Sequence, residues 1–283
     1  MIAKKIIKKL FWFISLIIVK VFNKFGFGRY FLEQINKNII NQKLSISHNK
    51  VSLSFFTPNR INLFRIKTFS EKEPETLEWI DNFNNESVFW DVGANIGIYS
   101  CYAAAKIKCK TYAFESSVFN LEFLAKNIYE NKLNEIITII PLPLTDKLKE
   151  THFNMSSITS GGAMSSFGEE YKSDGKKLNK IFSYKTLGLS MDEYVNYLKI
   201  QSPNYIKIDV DGIEHLILSG GKSILSKVKE VLVEVDEEFE KQIKQVRLIL
   251  EASGLKFISK HQSILIKKAN QQNRTYNQIW KRN

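Results

Sequence analysis

Residues 88–100 read VFWDVGANIGIYS. An apolar run carries one acid, Asp91; Gly93, Asn95 and Gly97 follow, and a second apolar run begins at once. The pattern predicts a buried strand over 88–92, a tight turn, and a helix from Gly97 to Lys106. In an open parallel sheet such a turn lies where ligands bind, beyond the carboxyl ends of the strands at a reversal of strand order. Gly93 lets the chain bend sharply, and Gly97 leaves room where the helix meets strand or ligand. The new helix offers free N–H groups and a positive dipole end.

Which nucleotide-like ligand fits follows from what is missing. No Gly-Lys-Ser/Thr follows the turn, which excludes a P-loop. The spacing Gly93-Ala94-Asn95-Ile96-Gly97 is not the G-x-G-x-x-G of a diphosphate-binding turn. An acid and an amide suit an amine and a carboxylate better. The next strand, KTYAFE (110–115), ends in Glu115, 22 residues after Gly93. A carboxylate at that place can accept from both hydroxyls of a ribose. A ribose and an amino-acid end without phosphates describe S-adenosylmethionine.

The flanking sequence has the same rhythm. NLEFLAKNIYENK reads as a helix, IITIIPL as a strand, YIKIDV (205–210) as a strand, and GIEHLILSGGKSIL as a helix broken at Gly220 and Gly221. KEVLVEV is a strand, 237–252 a helix, and LKFIS with the stretch around YNQIWK closes the chain. The strands are continuously apolar and alternate with helices, as in a mostly parallel sheet covered on both faces. Upstream, KLSISHNKVSLSFFT reads as one or two short strands and EPETLEWIDNF as a helix with Pro74 in its first turn. Residues 1–85 form a lead-in, and 86–283 form the main domain. One stretch breaks the rhythm: 156–177, rich in Ser, Gly and charge, is either a disordered insert or a lid over the ligand edge.

At this point the chain resembles the FkbM family of S-adenosylmethionine-dependent methyltransferases. FWDVGANIGIYS, YAFESSVFNLEFLAKNI, PLTDK and YIKIDVDGIEHLILSGG look like its successive motifs, from about Val88 to Glu234. The resemblance implies a class I, Rossmann-like methyltransferase fold: a seven-stranded, mostly parallel sheet with a reversed final hairpin. It implies O-methylation of a hydroxyl on a sugar or small metabolite. Carried over, Asp91, Gly93, Ala94, Asn95 and Gly97 would hold the methionine end and Glu115 the ribose. Ser116 and Asp146 would lie by the adenine. The family usually has Glu where this chain has Asp211, a side chain one methylene shorter.

Methyl transfer to an alcohol needs alignment, exclusion of water and a proton acceptor. The catalytic candidates end the fourth strand of the main domain: Asp209, Asp211 and Glu214, with a helix N-cap as the competing role for Asp211. His215 would point elsewhere on the helix, about 100° away from Glu214. A metal alternative pairs Asp209 with Asp236 around Mg²⁺.

The formal net charge of +12 favours anionic partners. Nucleic acid is disfavoured: the Asn/Asp-Pro-Pro-aromatic and catalytic Cys motifs of base methylation are absent, and IDVDG holds that position. A non-catalytic, membrane-associated binding protein of the same fold is the remaining alternative. Residues 1–29 carry seven basic residues and no acid, around an uncharged core of only ten residues (10–19). That is short for a spanning helix. It suits a helix lying in the membrane interface, with Lys4, Lys5, Lys8, Lys9 and Lys20 at the headgroups and Phe11, Trp12, Phe13 and Ile17 among the acyl chains. Packing on the domain or on a second subunit is the alternative. Cys101 and Cys109, at opposite ends of one helix and roughly 12 Å apart by helical rise, are too distant for a disulfide. The expected location is cytoplasmic, at the membrane if the first helix binds it.

Overall fold

The computed structural model of the chain describes residues 2–265 and 274–283, with side chains from Lys5. The lead-in runs α1 (Ile2–Phe22), α2 (Gly28–Ile40), β1 (Lys43–His48), β2 (Val51–Phe56), α3 (Arg60–Lys67), α4 (Phe69–Lys72) and α5 (Pro74–Asp81). Asn49 and Lys50, both at positive φ, turn β1 into β2 as an antiparallel hairpin, the geometry whose twist matches paired strands. Asn59 caps α3 by accepting from the backbone N–H groups of Ile61 and Asn62 at 2.9 Å.

The chain continues with β3 (Val88–Val92), α6 (Ile98–Ile107), β4 (Lys110–Phe114), α7 (Val118–Glu130), β5 (Ile137–Ile140), β6 (Lys149–Met155), β7 (Ser165–Phe167), β8 (Phe182–Gly188) and α8 (Met191–Leu198). Then come β9 (Tyr205–Ile208), α9 (Glu214–Ser219), α10 (Lys222–Leu225), β10 (Glu230–Asp236), α11 (Glu240–Ala252), β11 (Leu255–His261) and β12 (Thr275–Arg282). The central sheet has the order β11-β12-β10-β9-β3-β4-β5. Its β10-β9-β3-β4-β5 part is parallel, while β12 runs antiparallel between β10 and β11. Strand order reverses between β3 and β9, so the switch point opens above Gly93 and Asp209. This is the expected Rossmann-like methyltransferase sheet with its reversed hairpin.

Alternation along each strand divides the core. Phe89, Tyr205 and Leu232 face the layer made by α5, α6, α7 and the β1–β2 hairpin. Trp90, Val92, Ile206, Ile208, Val231 and Val233 face the other layer, with Tyr194 of α8, Ile217 of α9 and Val246 and Leu250 of α11. With both faces buried, each strand must be apolar at successive positions. Two exceptions stand side by side on the first face, the cross-strand partners Asp91 and Lys207, each 1% exposed. A buried charge needs a partner, and these two mark the polar floor of the switch point.

Of residues 156–177, expected as a disordered insert or a lid, Ser165–Phe167 form β7 and the rest is turn and loop; β7 joins β6 and β8 in a three-stranded antiparallel sheet, β7-β6-β8, inserted in sequence between β5 and β9. Cys101 and Cys109 are buried and free. α1, α2 and the turn between them leave apolar side chains open: Ile6, Leu10, Phe11, Trp12, Phe13, Ile17, Phe27 and Tyr30 are all exposed. The side chain of Lys4 lies outside the described residues. Among the described residues, no helix is long and apolar enough to cross a membrane.

Candidate active site

Backbone contacts fix the bend after β3. Gly93 and Ala94 both donate their N–H to the carbonyl of Phe114, at 3.0 and 2.9 Å. Gly93 has φ +87°, and a Cβ there would stand 1.9 Å from the carbonyl oxygen of Asp209. Only glycine combines that dihedral with that approach. Asn95, also at positive φ, donates its N–H to Glu115 Oε2 at 2.8 Å, and Ser117 donates its N–H to Oε1 at 2.6 Å. The Glu115 carboxylate is thereby clamped facing the bend. Burial raises its pKa to about 7, against the two N–H groups that favour its charge.

Glu115 and Ser116 line a cleft at the carboxyl ends of β3, β4 and β9. Its apolar wall is Pro143, Leu144, Phe153, Phe167 and Ile213. Phe153 and Phe167 are a cross-strand pair of the inserted sheet, so that sheet builds one side of the site. Its opposite, polar end holds Gly93, Asn95, Ser165, Asp209 and Asp211. The segment before β7 is latched over the cleft. Asn95 Nδ2 donates to the Gly162 carbonyl at 2.8 Å, and Asn120 Oδ1 accepts from the Gly161 N–H at 2.9 Å. Asp211 Oδ2 accepts from the N–H groups of Met164 and Ser165 at 2.6 and 3.3 Å. The segment before β7 thus forms part of the cleft wall.

The three carboxylates read as catalytic candidates have different surroundings. Asp209 pairs with Lys207 at 2.7 Å. Burial works against its charge, yet Lys207 and then Lys72 outweigh it and hold the carboxyl at about 2. Asp211 is raised to about 6, first by burial and then by the charge of Asp209. It sits at positive φ and does not cap a helix, since the N-cap of α9 is Ile213. Glu214 turns away into the core. Its Oε1 accepts from the N–H groups of Val210 and Gly212, its Oε2 takes the Gln242 amide, and burial raises its pKa to about 7.

A carboxylate clamped at the bend, an apolar wall and two further cleft-lining carboxylates are a donor set that fits S-adenosylmethionine. The family model of the methyltransferase FkbM domain matches residues 91–257, more than half of the chain. The chain belongs to the FkbM methyltransferase family. It is 27% identical over 175 residues to hexuronic acid methyltransferase AglP of Haloferax volcanii, in an alignment covering 61% of this chain and 66% of that protein. The chain therefore spans just under two thirds of that relative's length. Two solved structures are also similar. Methyltransferase FkbM of Methylobacillus flagellatus has 13% identity, a TM-score of 0.46, and coverage of 71% of this chain and 44% of that one. TYW2 of P. horikoshii has 11% identity, a TM-score of 0.47, and coverage of 84% and 70%.

Within this FkbM domain, the residues picked out by sequence divide into two groups. Gly93, Asn95, Glu115, Ser116, Asp209 and Asp211 meet at the main cleft, and Ala94 lines a neighbouring one. Four others point elsewhere. Asp91 lies under the bend and accepts from Ser100 Oγ at 2.5 Å. A Cβ on Gly97 would meet Leu124 Cδ1 at 2.5 Å, so this glycine serves the packing of α7 on α6. Asp146 pairs with Lys149 at 2.7 Å, and Glu214 is in the core as described. The Asp209–Asp236 arrangement for Mg²⁺ finds no support. Asp209 is engaged by Lys207, and Asp236 accepts from the Glu238 N–H and Thr275 Oγ1. No group of three or more potential metal ligands gathers among the described residues. Sequence reasoning missed Asn120, on the first turn of α7, and Phe153, Ser165 and Phe167, which reach the cleft through an insert whose pairing has no local signal.

Proposed function

We propose that the chain is an S-adenosylmethionine-dependent methyltransferase acting on a hydroxyl of a glycan or related small acceptor, with residues 86–283 as its catalytic domain. The observation that carries this is the Glu115 carboxylate clamped against the bend at Asn95, on the wall of a cleft that Gly93 and Asp209 also line. The cofactor supplies an already activated methyl group for in-line displacement, so the protein mainly aligns and shields. Glu115 accepts from the ribose hydroxyls, while Ser116 and the Phe153–Phe167 wall take the base. Asp209, held ionised by Lys207, supplies negative charge beside the sulfonium. Asp211, with its carboxyl at about 6, takes the proton of the acceptor hydroxyl. The segment latched by Asn95 and Asn120 excludes water.

Membership in the family and similarity to a protein named for a hexuronic acid support a sugar acceptor, and the net charge of +12 suits an acidic one. The exposed apolar side chains of α1, with Lys5, Lys8, Lys9 and Lys20 and no acid, support peripheral contact with an anionic membrane. Incubation with methyl-labelled cofactor and a panel of neutral and uronic sugars tests the function. Label on a uronic or neutral sugar oxygen supports it. Label on nucleic acid only, or on no acceptor despite cofactor binding, refutes it.

A further inference from the structure

Successive strand residues face opposite sides of a sheet, and the register of the insert pairs Phe153 with Tyr184 and Met155 with Phe182. Phe153, Tyr184 and Phe182 therefore share one face of the inserted sheet, the face that lines the cleft through Phe153. Their rings touch in series. The centroids of Phe153 and Tyr184 are 5.6 Å apart, those of Tyr184 and Phe182 5.9 Å, and Phe182 meets Phe119 of α7 at 6.1 Å. The Tyr184 hydroxyl donates to the carbonyl of Ser116, which also lines the cleft. The row of rings thus leaves the cleft beside Ser116 and runs out to the surface. Phe153 is 8% exposed, Tyr184 and Phe119 are half-buried, and Phe182 and its neighbour across the row, Val118, reach 41% and 51%.

We propose that this aromatic ledge is an accessory subsite for the acceptor, on which a second pyranose ring of an oligosaccharide stacks while the reacting unit lies in the cleft. This rests on the reading of the acceptor as a glycan. Three observations support it. The ledge is continuous with the cleft, so one extended ligand can touch both. It is also open at its outer end, and apolar surface left open in contact with a binding cleft marks a place for a ligand. Its chemistry selects the occupant. A pyranose ring has a flat face of C–H groups that stacks on an aromatic ring, while its hydroxyl edge stays in water. A half-open ledge suits that division. A protein partner fits less well: a stable contact takes roughly 800 Å² per partner, and a fully buried aromatic side chain gives only about 150–250 Å². Two half-open rings and Val118 fall well short.

The test compares a short and a long acceptor of one chemistry, galacturonate and trigalacturonate, with methyl-labelled cofactor and the full chain. The variants are Phe182→Ala and Phe119→Ala, both at open positions, and Phe182→Trp, which keeps a stacking ring. Wild type should prefer the trimer by kcat/KM. Phe182→Ala should raise the KM for the trimer roughly 3- to 10-fold, as for loss of one aromatic contact, with kcat unchanged. Phe119→Ala should act in the same direction, and Phe182→Trp should restore the wild-type KM. Kinetics on galacturonate and the calorimetric affinity for S-adenosylhomocysteine should stay within about twofold in all three. An unchanged trimer KM, or equal changes for both acceptors, overturns the proposal. Weaker S-adenosylhomocysteine binding in Phe182→Ala also overturns it, because the ring then serves the cofactor. So does a dimer in gel filtration that Phe182→Ala dissociates, because the ledge then meets a second copy. If wild type labels neither saccharide, the reading of the acceptor has failed and this subsite falls with it. If it labels both and Phe182→Ala does not separate them, only this inference has failed.

Discussion

Replacing Glu115 by glutamine keeps shape and removes charge, and the outcome follows from four donors around one carboxylate. Two are present: the N–H groups of Ser117 and Asn95, one on each oxygen. The ribose hydroxyls would be the other two. A glutamine amide has one oxygen and one NH₂ group, so whichever way it flips, one backbone N–H and one hydroxyl meet a donor instead of an acceptor. Losing a hydrogen bond to a charged acceptor costs about 1.5–3 kcal/mol, which predicts roughly 10- to 150-fold weaker binding of S-adenosylhomocysteine. The assay is calorimetric titration at pH 8, where the Glu115 carboxyl, at about 7, is mostly ionised. A ligand lacking both ribose hydroxyls should bind wild type and variant alike. Wild-type affinity should also rise between pH 6 and 8, because hydroxyl donors favour the ionised carboxylate, and the variant should lose that slope. Affinity within threefold of wild type, with the slope intact, would refute the assignment of Glu115 to the ribose.

Gly93→Ala places a Cβ 1.9 Å from the Asp209 carbonyl at φ +87°. Strain of about 1–2 kcal/mol from the dihedral alone, plus displacement of β9 backbone, should lower the urea midpoint clearly, more than the roughly 0.5–1 kcal/mol expected for Ala94→Gly at the buried neighbouring position. Asp211→Asn should cut the turnover of methyl transfer by roughly 10²–10⁴ while binding of S-adenosylhomocysteine stays within a fewfold. The wild-type rate should rise with pH through about 6, and the residual rate of the variant should not. Glu214 is raised from 4.5 to about 7 in the folded chain. Its contribution to stability is therefore complete below pH 4.5 and lost as pH rises through 7, a change of about 3 kcal/mol. Denaturant titrations at pH 4.5 and 8 should show a pH dependence that shrinks in Glu214→Gln.

The central sheet was legible because buried parallel strands cannot afford polar residues on either face. Val88–Val92, Lys110–Phe114 and Tyr205–Ile208 declare themselves as mostly apolar runs, interrupted by Asp91 and Lys207 at the site, and their order places Gly93 beside Glu115. The inserted sheet was not legible for the opposite reason. β6 and β8 are half-exposed, with patterns such as KETHFNM and FSYKTLG, and the segment between them reads as loop because its Ser and Gly residues make latches rather than strands. Glu214 shows the limit of proximity in sequence: five residues after Asp209, its side chain folds back onto the N–H groups of Val210 and Gly212.

The most direct measurement is a crystal structure of the chain with S-adenosylhomocysteine. The account predicts both ribose hydroxyls within about 3 Å of the Glu115 carboxylate oxygens, the adenine against the Phe153–Phe167 wall, and the sulfur above Gly93. A ligand whose ribose lies away from Glu115, or a cleft that stays empty at saturating ligand, would contradict it.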